Sequence, residues 1–141
     1  MRYYLDTNIL VFLMTGQREE ICTDVKEIIS DYTNQMMTSS VCVQELVHLN
    51  QMGKFAPYKR ANVPSPTDVL GWLDDMGIDV VLADKRHIQR LSELPMRNEH
   101  HDPNDRLIIA QSIADKIPLV SSDQKFEWYR KYGLDFIFND R

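Results

Sequence analysis

Asp6, Glu45, Asp105 and Asp123 are the side chains of this 141-residue chain around which chemistry can be built. Asp6 follows the strand-like Tyr3-Tyr4-Leu5, and Asp123 follows Leu119 and Val120 through two serines. Asp105 falls in the first turn of a helical stretch, and Glu45 lies further along another. In an open parallel α/β sheet these are places that face the crevice beyond the carboxyl ends of the strands. Carboxylates gathered there repel one another, and some stay protonated unless a cation sits among them. Mg²⁺ or Mn²⁺ is the cation expected, because the set is all oxygen and lacks the Cys or His supply that zinc prefers. One or two such ions bind a phosphodiester, lower the pKa of an attacking water and stabilise the leaving oxygen.

Each acid also has a plainer reading. Asp6, Asp105 and Asp123 are all of a type favoured at helix N-termini, where a carboxylate accepts free backbone N–H groups. Glu45 is too far along its helix to cap it; flanked by Val43, Leu46 and Val47, it needs a partner, a metal or a water-facing position. Asp102, three residues before Asp105, reads either as an outer-shell acid or as the cap of the helix carrying Asp105, with the cap preferred. His100 and His101 read as a solvated loop, since adjacent side chains rarely converge on one ion. Trp72, Trp128 and Tyr129 fall at helical core spacing, which makes packing their default role.

The elements that must position the acids alternate along the chain. After the first strand, Ile9 to Thr15 reads as a helix ended by Gly16, and Ile21, Val25, Ile28, Ile29 and Tyr32 mark an amphipathic helix over about 18–32. Met36 to Thr38 is a candidate strand, followed by a helix capped by Ser39 or Ser40, carrying Glu45 and ending near Gly53. Lys54 to Pro64 shows no period and reads as a loop or broken helix. Ser65-Pro66 opens the next helix, which Gly77 stops. Ile78 to Leu82 suits a strand, Asp84 to Leu94 a helix with Ile88 and Leu91 inward, and Pro95 to Pro103 a polar loop. Helix 104–116, a strand at 118–120, helix 124–132 and a strand at 136–138 complete the pattern. Alternation without hairpin signals predicts an α/β fold, a mainly parallel sheet with helices on both faces.

The length fits a single domain, residues 1–141. With 43% hydrophobic and 26% charged residues the composition is that of a globular protein. The longest apolar run, Ile9 to Met14, is too short for a bilayer and follows an acid, so an intracellular, cytoplasmic protein without a membrane partner is expected. Cys22 and Cys42 lack C-x-x-C spacing and read as buried reduced thiols. A net charge of −5 argues against a surface that grips nucleic acid everywhere, but it permits a local site.

Four stretches, taken together, resemble a known family: Leu5-Asp6-Thr7-Asn8-Ile9-Leu10; Ser39 to Leu46 with Glu45-Leu46; Asp102-Pro103-Asn104-Asp105-Arg106-Leu107-Ile108-Ile109-Ala110-Gln111; and Leu119-Val120-Ser121-Ser122-Asp123. In that order they resemble the PIN-domain ribonucleases, and within them the small bacterial toxins of VapC type. The resemblance implies a three-layer α/β/α fold with about five strands in its central sheet. It implies an endoribonuclease whose Asp6, Glu45, Asp105 and Asp123 bind Mg²⁺ or Mn²⁺, supported by Asn8 and Ser121. It further implies a homodimer neutralised by a cognate antitoxin protein. Arg106, Lys54 and Arg60 are then candidate RNA contacts, although an ion pair is favoured for Arg106; Lys59, Lys85, Arg86 and Arg90 are candidates for steering RNA. Two rival readings fit the same acids: an aspartyl-phosphate phosphatase or receiver, which wants an acid where Asn8 stands, and an RNA-binding domain of this kind without turnover.

Overall fold

Short apolar strands flanked by helices can be covered on both faces, and this chain builds five of them. They are β1 (Arg2–Leu5), β2 (Gln35–Ser39), β3 (Ile78–Val81), β4 (Leu119–Ser121) and β5 (Phe136–Phe138). In the computed structural model, which describes residues 1–141 apart from the side chains of Lys59 and Arg60, they form one parallel sheet in the order β3-β2-β1-β4-β5. The chain moves outward from β1 through β2 to β3, then crosses to the other side of β1 for β4 and β5. Strand order therefore reverses between β1 and β4, where the carboxyl ends of an α/β sheet leave a crevice. The helices α1 (Thr7–Met14), α2 (Thr23–Ser30), α3 (Ser40–Gln51), α4 (Val69–Asp75), α5 (Lys85–Glu93) and α6 (Pro103–Asp115) complete an α/β/α architecture. None of the described helices is long and apolar enough to cross a membrane.

Local chemistry sets most of these boundaries. Asp6 caps α1, which therefore begins at Thr7, two residues earlier than the apolar run suggests. Gly16 follows with φ +69°, a conformation that side chains rarely adopt, and its α-carbon faces Ala61 at a spacing that leaves a methyl group only 3.4 Å from that residue. Ser39 caps α3 through a bond from Val41 N, and Asp102 caps α6 from Asn104 N and Asp105 N. The core includes Leu5, Ile9, Leu10, Leu46, Ile109, Leu119, Val120 and Phe126, all fully buried. Each such side chain contributes about 2 kcal/mol by leaving water.

Three expectations are corrected. The helix expected over 18–32 is a 3-10 turn at Arg18–Glu20 followed by α2 at Thr23–Ser30. The break falls where the Cys22 N–H is drawn off to Asn139 Oδ1 at 2.8 Å, a partner near the other end of the chain. On α5, Ile88 is exposed and His87 is buried in its place, because the imidazole Nδ1 closes a capping box with the Asp84 N–H while Nε2 meets Asp115 at 3.0 Å. The segment Gln124–Tyr132 is helical but winds as 3-10. Of the two thiols, both free, Cys42 is buried and Cys22 only partly so.

Two polar clusters lock the helices to the sheet. Gln111 on α6 is fully buried; its carbonyl accepts from Ser39 Oγ at 2.6 Å, and its amide donates to Tyr4 Oη and to the Val81 carbonyl, both at 3.2 Å. One amide thus ties α6 to β1, β2 and β3. Asp115 closes the far end of α6, accepting from Tyr4 Oη at 2.6 Å, Arg86 Nη2 at 3.0 Å and the His87 ring. Burial works against the Asp115 carboxylate, but the bonds from Tyr4, His87 and Arg86 outweigh it and hold its pKa below the usual value.

Because the folded pKa lies below the unfolded one, Asp115 stabilises the fold above pH 3.8 and loses that contribution as pH falls further. Asp115→Asn is expected to cost about 2 kcal/mol at neutral pH. Urea unfolding should show the gap to wild type narrowing towards about pH 3; a constant gap would contradict this account.

Candidate active site

Asp6 leaves the end of β1 with its backbone N–H bonded to the Val120 carbonyl of β4 at 2.9 Å, so its position is set by the strand pair. Its carboxylate is 4% exposed and heavily engaged. Oδ1 accepts from Thr7 N at 2.7 Å, with the Cys42 thiol at 4.0 Å. Oδ2 accepts from Ser121 Oγ at 2.6 Å and Asn8 Nδ2 at 3.2 Å. Ser121 Oγ in turn accepts from Asp123 N at 3.0 Å, and Asn8 Oδ1 from Ser122 N at 3.1 Å. Asn8 and Ser121 therefore hold Asp6 and the β4 turn as one unit.

Asp6, Asn8, Glu45, Asp105 and Asp123 line one cavity of about 280 Å³ whose remaining wall is Thr7 with the apolar Val11, Phe12 and Leu49. Glu45, half-buried, has no hydrogen-bond partner among the described residues. Asp123 caps the following 3-10 segment through Lys125 N at 3.0 Å. Asp105 is half-buried in the first turn of α6.

Burial pushes the Asp6 carboxyl up to about 7, with the charges of Asp105 and Glu45 adding to the rise against bonds from Ser121 and Thr7. Burial likewise pushes Asp105 up to about 7, reinforced by Asp102, Asp123 and Glu45. Negative charge in this cavity is thus costly, and at Asp105 the Lys125 charge offsets only part of that cost. The donors fit a hard divalent cation: carboxylates crowd a pocket that disfavours their own charge, and the buried Thr7 Oγ1 finds no hydrogen-bond partner among the described residues, with only the soft Cys42 thiol beside it. Asp105 and Asp123, with His100, offer ligand atoms within 4.8 Å of one another; Asp6 and Glu45 line the same cavity outside that close trio.

His100 corrects the sequence reading. Only His101 is exposed; His100 is buried, with Nε2 at 3.2 Å from Asp105 Oδ2 and Nδ1 at 2.8 Å from Tyr129 Oη. Burial lowers its pKa from the usual 6.5. Its place five residues before Asp105 does not reveal this, because the contact that buries it, Tyr129, is 29 residues away in sequence. Arg106 is a second correction: it neither faces solvent nor pairs with an acid, but donates to the Pro95 and Leu94 carbonyls at 2.9 and 3.0 Å. A guanidinium spent on backbone carbonyls is not offered to RNA. Arg86 and Arg90 pair with Asp115 and Glu93, while Lys54 and Lys85 are exposed and outside the cavity lining. The side chains of Lys59 and Arg60 lie outside the described residues. Lys125, not singled out by sequence, is a cation whose charge reaches both Asp105 and His100.

The PIN domain profile matches residues 3–132. The chain belongs to the PIN-domain family. No curated protein matches it. Among solved structures it is similar to a chain of VapBC2 from Rickettsia felis bound to a promoter DNA fragment, at 22% identity and TM-score 0.70, covering 99% of this chain and 100% of that one. It is similar to a chain of DNA-bound VapBC from Salmonella typhimurium at 17% identity and TM-score 0.67, covering 98% of each. A toxin–antitoxin complex from Klebsiella pneumoniae matches at 19% identity and TM-score 0.59, covering 88% of this chain and 89% of that one. At these identities the likeness establishes a common fold, the one the four stretches implied.

Both raised carboxyls favour the protonated folded state, so their contribution to stability is complete below pH 3.8 and is lost as pH rises through about 7. The melting temperature in chelator is therefore expected to fall between about pH 4 and pH 7 and to level off above that. Asp6→Asn, which removes the most buried of the charges, should flatten that decline; an unchanged slope would show that the carboxyl is not strained by its burial.

Proposed function

We propose that the chain is a divalent-metal-dependent endoribonuclease, acting in the cytoplasm as the toxin of a toxin–antitoxin pair. The observation that carries the reading is the pair of carboxyls, Asp6 and Asp105, pushed up to about 7 around a cavity that Glu45 and Asp123 also line. Membership of the PIN family supports nuclease chemistry over the phosphatase reading, as does Asn8, which donates to Asp6 where an aspartyl-phosphate enzyme wants an acid. The antitoxin partner rests on the likeness to toxin–antitoxin and VapBC structures. The homodimer rests on the family resemblance alone.

Asp6, Asp105, Asp123 and Glu45 would hold Mg²⁺ or Mn²⁺. Once bound, the ion supplies charge for the phosphodiester oxygens and acidifies water. The rest falls to the chain's own residues. Thr7 N, Ser121 and Asn8 fix the Asp6 carboxylate so that it needs no reorganisation. Glu45, without a hydrogen-bond partner among the described residues, is free to take the proton of an attacking water. Val11, Phe12 and Leu49 give the cavity an apolar wall alongside the acids' polar one. Lys125 and, further off, Lys54 are exposed cations available to the RNA backbone.

RNA incubated with Mn²⁺ or Mg²⁺ should be cut by the wild-type protein and left intact in chelator. Asp6→Asn should lower the rate by about a hundredfold or more and relieve growth arrest on expression. Cleavage retained in that variant with metal present would sink the reading.

A further inference from the structure

His100 stands in the irregular loop before α6, yet its ring is 5% exposed and packed edge-on against Phe126 and Tyr129. A buried imidazole with both nitrogens engaged has a definite tautomer, and here the neighbouring phenol decides it. Arg106 Nη1 donates to Tyr129 Oη at 3.4 Å, while the same guanidinium is anchored on the Pro95 and Leu94 carbonyls. The phenol proton has two acceptors within reach, His100 Nδ1 at 2.8 Å and the His100 carbonyl at 3.5 Å. The shorter contact is the better bond, so Tyr129 donates to Nδ1. A neutral ring then carries its hydrogen on Nε2, which donates to Asp105 Oδ2 at 3.2 Å.

Asp105 has no other side-chain hydrogen bond among the described residues. With Asp102, Asp123 and Glu45 all repelling it, its carboxylate has one fixed contact and several reasons to turn away. We propose that His100 is a positioning residue: the Arg106–Tyr129–His100 chain holds Asp105 by Oδ2 and leaves Oδ1 as the oxygen open to a divalent cation. The inference rests on the metal-site reading above and assigns a residue that reading does not use. It also settles the role of the close trio of His100, Asp105 and Asp123. An imidazole that accepts at Nδ1 and donates from Nε2 has no lone pair for a metal, so His100 orients a ligand and is not one. Partners of this kind hold the far side of a metal ligand and change metal affinity about 10- to 100-fold when removed.

The test pairs His100→Leu, which fills the space without a donor, with His100→Gln, whose amide nitrogen can stand near the position of Nε2. Mn²⁺ binding is read by electron paramagnetic resonance, with thermal melting as the check on folding. His100→Leu is expected to weaken Mn²⁺ binding about 10- to 100-fold, and His100→Gln to recover most of it. Spin-echo modulation on the wild-type Mn²⁺ complex is expected to show no directly bound nitrogen. In the metal-free protein, long-range ¹H–¹⁵N correlation should show the His100 Nε2–H form, which Tyr129→Phe should disturb; this readout stands even if His100→Leu fails to fold. A folded His100→Leu that binds Mn²⁺ like wild type, a nitrogen ligand on Mn²⁺, or an Nδ1–H ring would each overturn the proposal. If the wild-type protein itself binds no Mn²⁺, the metal-site reading falls, and the proposal with it.

Discussion

A carboxylate buried at the junction of two parallel strands is the constraint on which this structure turns. Asp6 is almost without solvent, yet it accepts bonds from Thr7, Ser121 and Asn8 that favour its ionised form. Burial and the neighbouring acids push the other way and win. The same tension recurs at Asp105. Evolution of a stable core alone would remove such groups or neutralise them with a basic side chain. Neither has happened, and the arginine that follows Asp105 in sequence, Arg106, is turned onto backbone carbonyls.

What holds this strained pocket in shape is mostly uncharged. Gln111 links α6 to three strands, and Asn139 ties the loop at Glu20 and Cys22 to Ser122 beside Asp123. Both amides are fully buried with their polar atoms bonded, the condition under which a buried polar group stabilises rather than costs. Neutral amides keep their bonds across the pH range in which the acids change charge. The bonds that these two amides make therefore do not titrate with the acids they help to position.

How far the sequence revealed this depends on the range of the interaction concerned. The turn at Asp6 was legible because strand, cap and helix follow one another within a few residues. Glu45 stood out because an acid inside an apolar helical run demands an explanation. The strand alternation sufficed for the parallel sheet. His100 was not legible: its burial depends on Tyr129 and Phe126, distant in sequence, and its neighbour His101 is exposed as the polar loop suggests. The interrupted helix before α2 has the same cause, since the residue that captures the Cys22 N–H is Asn139. On α5 the apolar Ile88 and polar His87 exchange their expected places because Asp115 offers the imidazole a better bond than the core offers the isoleucine. Periodicity reports the average face of an element, and it fails where a single long-range hydrogen bond outweighs that average.

The place of β1 in the sheet carries a consequence for the order in which the pocket can come into being. β1 is the first strand along the chain but the middle strand in space, and Asp6 takes its backbone partner from Val120 and its closest side-chain partner from Ser121. A nascent polypeptide that has reached the end of α6 already contains Asp6, Glu45 and Asp105, but it has no β4 to close the crevice. Contacts of such long loop closure form late and slowly. The acids are made early, and the crevice that gathers them exists only once β4 has followed.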